Sequence, residues 1–428
     1  MTTKRFLITL LLIAPLTLHA QRMNVMDELK ADPKKAYGND YPYLYATAEL
    51  TATPSGYKPF YISHYSRHGS RYYWSDNLYL SIDTLLTTAH TMGILTPEGE
   101  AFRDRYSKAY PELMARWGEL SETGWQQHQR IAREMYNNFP EVFTDTSHVT
   151  AISSLAGRCV MSMSAFCLEL KQQCPKVEIR EEASRTTLHA VVPDDRQNPR
   201  WKEFPILRPR YERNTVSIQQ DTSLTHHIVM RMLKTTEGLN RTEQQIADDM
   251  KNLYTSLVGI NHEGMMGQLY TDDDVLAQWE TTNLGSYSWV FAPQMKMIPI
   301  LEDILLQAER AINGDNPDVA TLRFGHDGCL GPLTVLMGIN GADADPEDAK
   351  DVKYYYQNYE TCKASNIQLV FYRAEANSHD VLMKCLLNGS EATLPVPSDI
   401  KPYYHWTDVL SFYRQRINNM VINHNYPY

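Results

Sequence analysis

The sequence predicts an α/β protein with a mainly parallel sheet flanked by helices and a mainly helical inserted cap. Strand-like apolar runs alternate with segments of helical periodicity along most of the chain, which is typical of a sheet covered on both faces. Three of these runs, at residues 60–66, 148–154 and 320–325, lead into short stretches that contain glycine and charged side chains. Residues 221–289 differ from the rest, because they have helical composition and few strand signals.

The remaining elements follow the same alternation. Residues 367–372 and 381–387 form two further strand-like runs, and Asn388-Gly389 after the second indicates a hairpin turn. Helical spacing of apolar residues occurs from Trp125 to Phe139 and again over residues 299–312. We therefore expect an α/β core formed by residues 21–220 and 290–428, with residues 221–289 as the helical cap.

The first twenty residues are typical of a secretory signal peptide. Lys4 and Arg5 precede an apolar stretch over residues 6–18, and Ala20 is a small residue suited to cleavage. This stretch is shorter than the roughly 20 apolar residues that span a bilayer. The sequence thus predicts cleavage and a secreted or periplasmic protein without a membrane anchor.

Charge and cysteine content restrict the partners and the redox chemistry. The chain has a formal net charge of -10, which becomes -12 without the two basic residues of the signal peptide. An acidic chain of this kind is poorly suited to nucleic acid, which is bound mainly through phosphate contacts. Cys159 and Cys329 lie in apolar elements and are predicted to be buried thiols. One disulfide among the other four cysteines, and the oligomeric state, are left open.

The heptapeptide Ser66-Arg67-His68-Gly69-Ser70-Arg71-Tyr72 is the strongest chemical signal in the chain. Two guanidiniums can bind a phosphate through forked, charge-assisted hydrogen bonds, and an imidazole between them is placed to attack phosphorus. The alternative is a basic strand end whose arginines pair with surface carboxylates.

Two distant segments have the same layout. A strand-like run ends at His326-Asp327, and another is followed by Arg158. Because ligands bind beyond the carboxyl ends of strands in an open α/β sheet, we expect His68, Arg158 and His326 to lie together.

These segments resemble the histidine acid phosphatases, the branch of the histidine phosphatase superfamily that includes phytases and multiple inositol polyphosphate phosphatases. The resemblance covers most of the mature chain and extends to residues 118–135, 366–374 and 381–391. Many members have proline two positions after the second arginine, where this chain has Tyr73.

The resemblance implies a role for each site residue. His68 would attack in its neutral form and give a phosphohistidine, and Asp327 would protonate the leaving oxygen, so an acidic working pH is expected. The phosphoryl oxygens would be held by Arg67, Arg71, Arg158 and His326. This scheme requires no metal or other cofactor, and the four-residue spacing of His64 and His68 spans a strand end, so no metal site is predicted there.

The substrate is the least determined part of the prediction. Residues 196–213 contain six basic and two acidic side chains, a local charge of +4. We hypothesise that Arg208 and Arg210, with Tyr72, select a polyphosphorylated ring such as phytate, although a solvated loop explains the charges equally well. The alternatives are a broad-specificity acid phosphatase for sugar phosphates, an inactive phospholigand-binding protein and a phosphoryl mutase, and export argues against the mutase.

Overall fold

The computed structural model describes residues 24–193 except Leu44 and Thr47, and residues 204–213, 221–374 and 380–423. The predicted signal peptide lies outside these ranges, as do the basic residues Arg196, Arg200 and Lys202.

Strands and helices alternate through the described chain. The strands are β1 Lys58–Arg67, β2 His148–Ser153, β3 Glu178–Glu182, β4 Asp318–Gly325, β5 Asn366–Arg373, β6 Val381–Leu387, β7 Ser390–Ala392 and β8 Tyr403–His405. The helices are α1 Val25–Ala31, α2 Asp76–Thr91, α3 Pro97–Arg116, α4 Glu122–Asn138, α5 Gly157–Gln173, α6 Arg210–Arg213, α7 Thr222–Met232, α8 Glu243–Leu257, α9 Asp272–Phe291, α10 Ile298–Asn313, α11 Asp327–Met337 and α12 Trp406–Asn423. Short 3-10 segments, among them Pro33–Asp40 and Asn358–Thr361, connect several of these elements.

The strands form one mixed sheet in the order β3-β2-β4-β1-β5-β6-β7, and β8 pairs with β6. The strands β3, β2, β4 and β1 are parallel to one another, while β5 and the strands that follow it pair antiparallel. Asn388 and Gly389 have φ angles of 54° and 77°. These left-handed conformations at both positions are what a tight hairpin between β6 and β7 needs.

Each face of the sheet packs on its own group of helices. Successive side chains of a strand point to opposite faces. Tyr61 and Tyr65 of β1 accordingly join the core beneath α10, α11 and α12, and Ile62 joins the core beneath α4 and α5. The predicted α/β fold, a sheet with helices on both faces and a helical cap, is confirmed.

The helical side of the molecule comes from two stretches of the chain. The helices α7, α8 and α9 lie within the predicted cap, and they share a core with α2 and α3, which precede β2 in sequence. Trp279 of α9 is fully buried in this core. The domain boundaries stay a prediction. The helices α2 and α3, which share this core, were not among the helices that the sequence patterns predicted.

Two properties of single residue types complete the description. All six cysteines are buried free thiols, including Cys159 and Cys329 as expected. Among the described helices, none has the length and apolar character that crossing a membrane requires.

Candidate active site

The three segments singled out in the sequence meet at one edge of the sheet. Arg67, the last residue of β1, lies opposite Gly325 at the end of β4. Ser153, the last residue of β2, lies opposite Phe324. The chain leaves these three neighbouring strands at His68, Ser154 and His326. Residues His68, Arg158 and His326, which are 90 and 168 positions apart in sequence, are thus brought to the same edge of the sheet.

His68 is buried and held in one orientation. Its backbone N–H donates to the Gly325 carbonyl at 3.0 Å, and its Nδ1 lies 2.9 Å from the Gly69 carbonyl oxygen. A carbonyl can only accept, so Nδ1 bears the proton and Nε2 keeps its lone pair. Burial, with the charges of Arg67 and Arg71, holds the pKa of His68 well below its usual value. The imidazole is therefore neutral and presents an unprotonated nitrogen.

Gly69 allows the loop after β1 to approach α4 closely. A Cβ on Gly69 would lie 2.4 Å from the Gly124 carbonyl oxygen, and a Cβ on Gly124 would lie 2.1 Å from the Ser70 carbonyl oxygen. Neither distance is possible for real atoms, so both positions require glycine. Gln127 of α4 accepts the Ser70 N–H at 2.8 Å. The segment around residues 118–135 therefore fixes the loop that holds His68.

Three arginines surround His68, and their hydrogen-bonding capacity is only partly used. Arg67 donates to the carbonyl oxygens of Asn39 and Thr361 at 2.6 and 2.9 Å, and Arg71 donates to the Tyr72 carbonyl at 3.0 Å. The Nε atoms of Arg67, Arg71 and Arg158 are buried and have no hydrogen-bond partner among the described residues. Guanidinium donors without protein partners suit an anionic ligand with several oxygens.

His326 and Asp327 stand at the start of α11, directly after β4. His326 Nε2 lies 2.9 Å from Ser154 Oγ, and burial and the charge of Arg158 lower the pKa of His326 to about 4. The rings of His326 and His68 are 5.7 Å apart between centroids. The structure thus places the second histidine beside the first.

Asp327 is ionised in the ligand-free site. Its Oδ2 lies 2.8 Å from Arg67 Nη2, and its Oδ1 accepts the Gly328 N–H at 2.9 Å. Burial alone would raise the pKa of Asp327, but Arg67, Lys363 and Arg71 outweigh burial and hold it well below its usual value. Asp327, which the resemblance predicts to donate a proton, therefore carries none in this state.

Sequence reasoning missed a second buried ion pair at the site, between Lys363 and Asp40. Lys363 Nζ lies 2.6 Å from Asp40 Oδ1, and the lysine side chain is 4% exposed. Burial and the charge of Arg71 lower the pKa of Lys363 to about 7, although Asp40 opposes them. No local pattern marks either residue, because the two are 323 positions apart.

A cavity of about 540 Å³ opens beside Arg158. Its wall includes the indoles of Trp117 and Trp125 and the side chain of Met161. Trp117 is 48% exposed and Met161 is 47% exposed. On the side of Asp327, the half-exposed indole of Trp289 lies 3.5 Å from the position of a Cβ on Gly328. These half-exposed side chains give the surface beside the phosphate site an apolar character.

Arg116, in the wall of this cavity, is paired with neighbouring side chains. Arg116 pairs with Glu119 at 3.1 Å, and its guanidinium lies 4.4 Å from the ring centre of Tyr72. Tyr72 itself is buried, donates to Glu112 and accepts from Arg116 at 2.8 Å. The hydroxyl of Tyr72 is engaged by these partners, and its role in specificity stays a prediction.

Arg208 and Arg210, the other residues predicted to select the substrate, are both exposed. Arg210 pairs with Glu347 at 3.3 Å, and its backbone N–H donates to Asp345 at 2.7 Å. Within the described ranges, neither arginine forms a hydrogen bond or ion pair with the residues around His68. Their role in selectivity stays a prediction.

No group of three or more metal-ligating side chains is found among the residues that the structure describes. The cations of the site are the side chains of arginine and lysine.

The site and the fold define a class of protein. The family profile of the histidine phosphatase superfamily (branch 2) matches residues 65–388, and the chain belongs to this family. The resemblance recognised in the sequence is thereby confirmed. The chain is a phosphomonoester hydrolase.

Solved structures show the same fold at low sequence identity. The multiple inositol polyphosphate phosphatase of Bifidobacterium longum, solved in complex with inositol hexasulfate, has a TM-score of 0.70 at 18% identity, over 89% of this chain and 97% of that one. The phytase from D. castellii has a TM-score of 0.72 at 14% identity, over 93% and 89% of the two chains. Comparison with curated proteins finds none that matches this chain.

Proposed function

We propose that this chain hydrolyses phosphomonoesters through a phosphohistidine formed on His68. The orientation of the imidazole is the observation that supports this proposal most strongly. Nδ1 donates to the Gly69 carbonyl, so the lone pair of Nε2 is available for attack on phosphorus. The low pKa of His68 keeps this lone pair free even at acidic pH.

The arginines supply the electrostatic part of catalysis. Arg67, Arg71 and Arg158 each have a buried Nε donor that no described residue accepts from, and His326 adds a ring edge. Charges fixed before the reaction stabilise the transferring phosphoryl group, and removing one such donor typically costs about 3–4 kcal/mol of transition-state stabilisation. The unprotonated Nε2 of His68 forms a bond to phosphorus as the ester oxygen departs on the opposite side and takes a proton. Water then cleaves the phosphorus–nitrogen bond, which releases phosphate and restores His68.

Asp327 acts as the general acid, and we propose that substrate binding supplies the condition for its protonation. A phosphoryl dianion competes with Asp327 for Arg67 and adds negative charge beside the carboxylate. Both effects raise the pKa of Asp327, since a like charge disfavours the ionised form. Protonation is then favoured as the pH falls, which agrees with the acidic working pH expected from the sequence.

We propose inositol polyphosphates, phytate above all, as the substrate class, and an exported protein as their hydrolase. The structural likeness to the B. longum enzyme and to a phytase supports this choice. The local charge of +4 over residues 196–213 agrees with it. Export is proposed from the features of residues 1–20 alone.

A sugar monophosphate is the second candidate, favoured by the cavity beside Arg158. Its tryptophans offer flat apolar surfaces for the carbon face of a ring, and the carboxylates of Glu119 and Glu122 can accept hydroxyl groups. Those same carboxylates would repel additional phosphates.

Phosphate release from phytate and from a sugar monophosphate, measured at acidic pH, tests both candidates. The His68→Ala variant is the matched control for contaminating phosphatases. A kcat/KM for phytate at least tenfold above that for the monophosphate supports the inositol polyphosphate proposal. A preference for the monophosphate favours the second candidate. No release from either substrate would refute the proposed hydrolysis of these esters.

A further inference from the structure

Lys363 lies in the short turn that connects the cap side of the molecule to β5. The N–H of Ala364 donates to the His68 carbonyl at 3.0 Å, and the N–H of Arg67 donates to the Ser365 carbonyl at 2.9 Å. Ala364 has a φ of 58°, a conformation that few residues other than glycine adopt. This turn therefore fixes Lys363 against the segment that contains His68.

The side chain of Lys363 is almost fully buried, and only part of its bonding capacity is used. An ammonium has three N–H donors. Asp40, at 2.6 Å, is the ionic partner of Lys363 among the described residues. The other oxygen of Asp40 accepts from Thr255 at 3.2 Å. A buried ammonium normally needs more partners than one carboxylate oxygen, so Lys363 retains donors for another acceptor.

The charge of Lys363 acts on the reacting groups. It lowers the pKa of both His68 and Asp327. The backbone hydrogen bond from Ala364 to His68 keeps the lysine beside these groups. Arg67, Arg71, Arg158 and Lys363 face two carboxylates, Asp40 and Asp327, which leaves a net positive charge for an anion.

We propose that Lys363 is a phosphoryl-binding residue, whose ammonium donates to a non-bridging phosphoryl oxygen while Asp40 holds it in place. This inference rests on the proposed function and adds a fourth cation to the site. Asp40 is a positioning residue in this scheme. The ligand class is a phosphate or phosphomonoester dianion.

Lys384 provides a matched control inside the same protein. It is also buried, at 1% exposure, and lies 2.7 Å from Glu391. It donates to the Thr51 carbonyl as well, at 2.8 Å, so its partners are all internal. Lys384→Met should leave phosphate affinity within about twofold of the wild type.

Inorganic phosphate, titrated by calorimetry at pH 6, is the direct probe. We expect Lys363→Met to weaken phosphate binding about 10- to 100-fold, the size expected for one hydrogen bond to a charged group. Asp40→Asn removes a negative charge near the ligand, so it should bind phosphate as tightly as the wild type or more tightly.

The double variant Asp40→Asn/Lys363→Met separates direct binding from a purely structural ion pair. Removing both partners also avoids a stranded buried charge, so this variant keeps the test available if Lys363→Met fails to fold. If Lys363 binds the phosphoryl group, the double variant binds phosphate at least tenfold more weakly than Asp40→Asn. Equal affinity of these two variants would overturn the proposal and leave Lys363 as the counterion of Asp40. Failure of the wild type to bind phosphate would instead refute the proposed function itself.

Discussion

Arg67 and Arg323 are two buried guanidiniums that lie on adjacent strands and have different surroundings. Arg323 of β4 donates to Asp303 from Nε and Nη2, at 3.1 and 2.6 Å, and to Ser63 from Nη1 at 3.1 Å. Arg67 at the end of β1 binds two carbonyls and Asp327 but has an unpartnered Nε. Both side chains are buried, since Arg67 is 1% exposed and Arg323 is 0% exposed.

The difference between them teaches how a buried cation can be assigned to structure or to function. Arg323 is satisfied by the protein alone and links β4 to α10, so its removal affects folding. Arg67 lies among cations that also have unused donors, and its carboxylate partner, Asp327, is the proposed general acid. The distinguishing property is the set of partners, since burial is common to both.

Replacing His68 with alanine should have the largest effect on the functional side of this comparison. We expect kcat to fall about 10⁴-fold or more, because the covalent route is lost. Affinity for phosphate should change less than tenfold, since the arginines remain. Steady-state kinetics and calorimetry measure the two quantities, and equal losses in both would show that His68 only helps to bind.

Asp327→Asn should slow poor leaving groups more than good ones. General acid catalysis contributes typically 10²–10⁴ in rate. We expect a loss of that size on sugar or inositol phosphates and a much smaller one on an aryl phosphate, whose oxide leaves without a proton. Kinetics on both substrate types check this, and a uniform loss would assign Asp327 to binding through Arg67.

Arg67→Met and Arg323→Met test the comparison itself. Arg67→Met should lower kcat/KM about 10²–10³-fold. Arg323→Met should leave kcat/KM within about threefold but lower the free energy of unfolding by about 1.5–3 kcal/mol, because the partly buried Asp303 loses its charged hydrogen-bond partner. Steady-state kinetics measure kcat/KM, and denaturant unfolding of the same preparations measures the free energy of unfolding. A catalytic loss from Arg323→Met matching that of Arg67→Met would remove the distinction.

His64→Leu should have the smallest effect, visible only in the pH dependence of stability. His64 is fully buried against Phe166 and Phe324, its ring nitrogens have no partner among the described residues, and burial holds its pKa well below the usual value. Because His64 stays neutral in the folded state, that state binds fewer protons than the unfolded one. The contribution of the neutral His64 to the free energy of unfolding is therefore fully present above pH 6.5 and is lost as the pH falls below that value. Between pH 7.5 and 5.5 we expect the wild type to lose about 1.4 kcal/mol more than the variant, measured by denaturant unfolding. Equal losses of stability in the wild type and the variant would show that groups other than His64 cause the pH dependence.

Apolar runs allowed most of the sheet, and the place where the candidate site residues meet, to be predicted. The strand runs 60–66 and 320–325 were predicted within two residues of β1 and β4, because buried central strands are almost continuously apolar. The adjacent Arg67-His68 and His326-Asp327 pairs then followed from where those strands end. The family profile confirmed the class that these motifs indicated.

Elements defined by tertiary contacts could not be predicted in the same way. Strand β3, with the sequence Glu-Ile-Arg-Glu-Glu, lies at the edge of the sheet and has no apolar pattern. Lys363 is a single lysine in a polar turn, and it acquires a role only when the fold brings Asp40 and the arginines around it. Likewise, the need for glycine at Gly124 arises from its contact with Ser70, 54 residues earlier.

The covalent intermediate is the central claim, and trapping it is the most direct test. The enzyme is mixed with a ³²P-labelled phosphomonoester and quenched within milliseconds in denaturant at alkaline pH, because a phosphorus–nitrogen bond to histidine is labile in acid. Peptide mapping should find the label on His68, and the His68→Ala variant should acquire none. Label on a serine or cysteine, or wild-type turnover without any labelled protein, would contradict the mechanism.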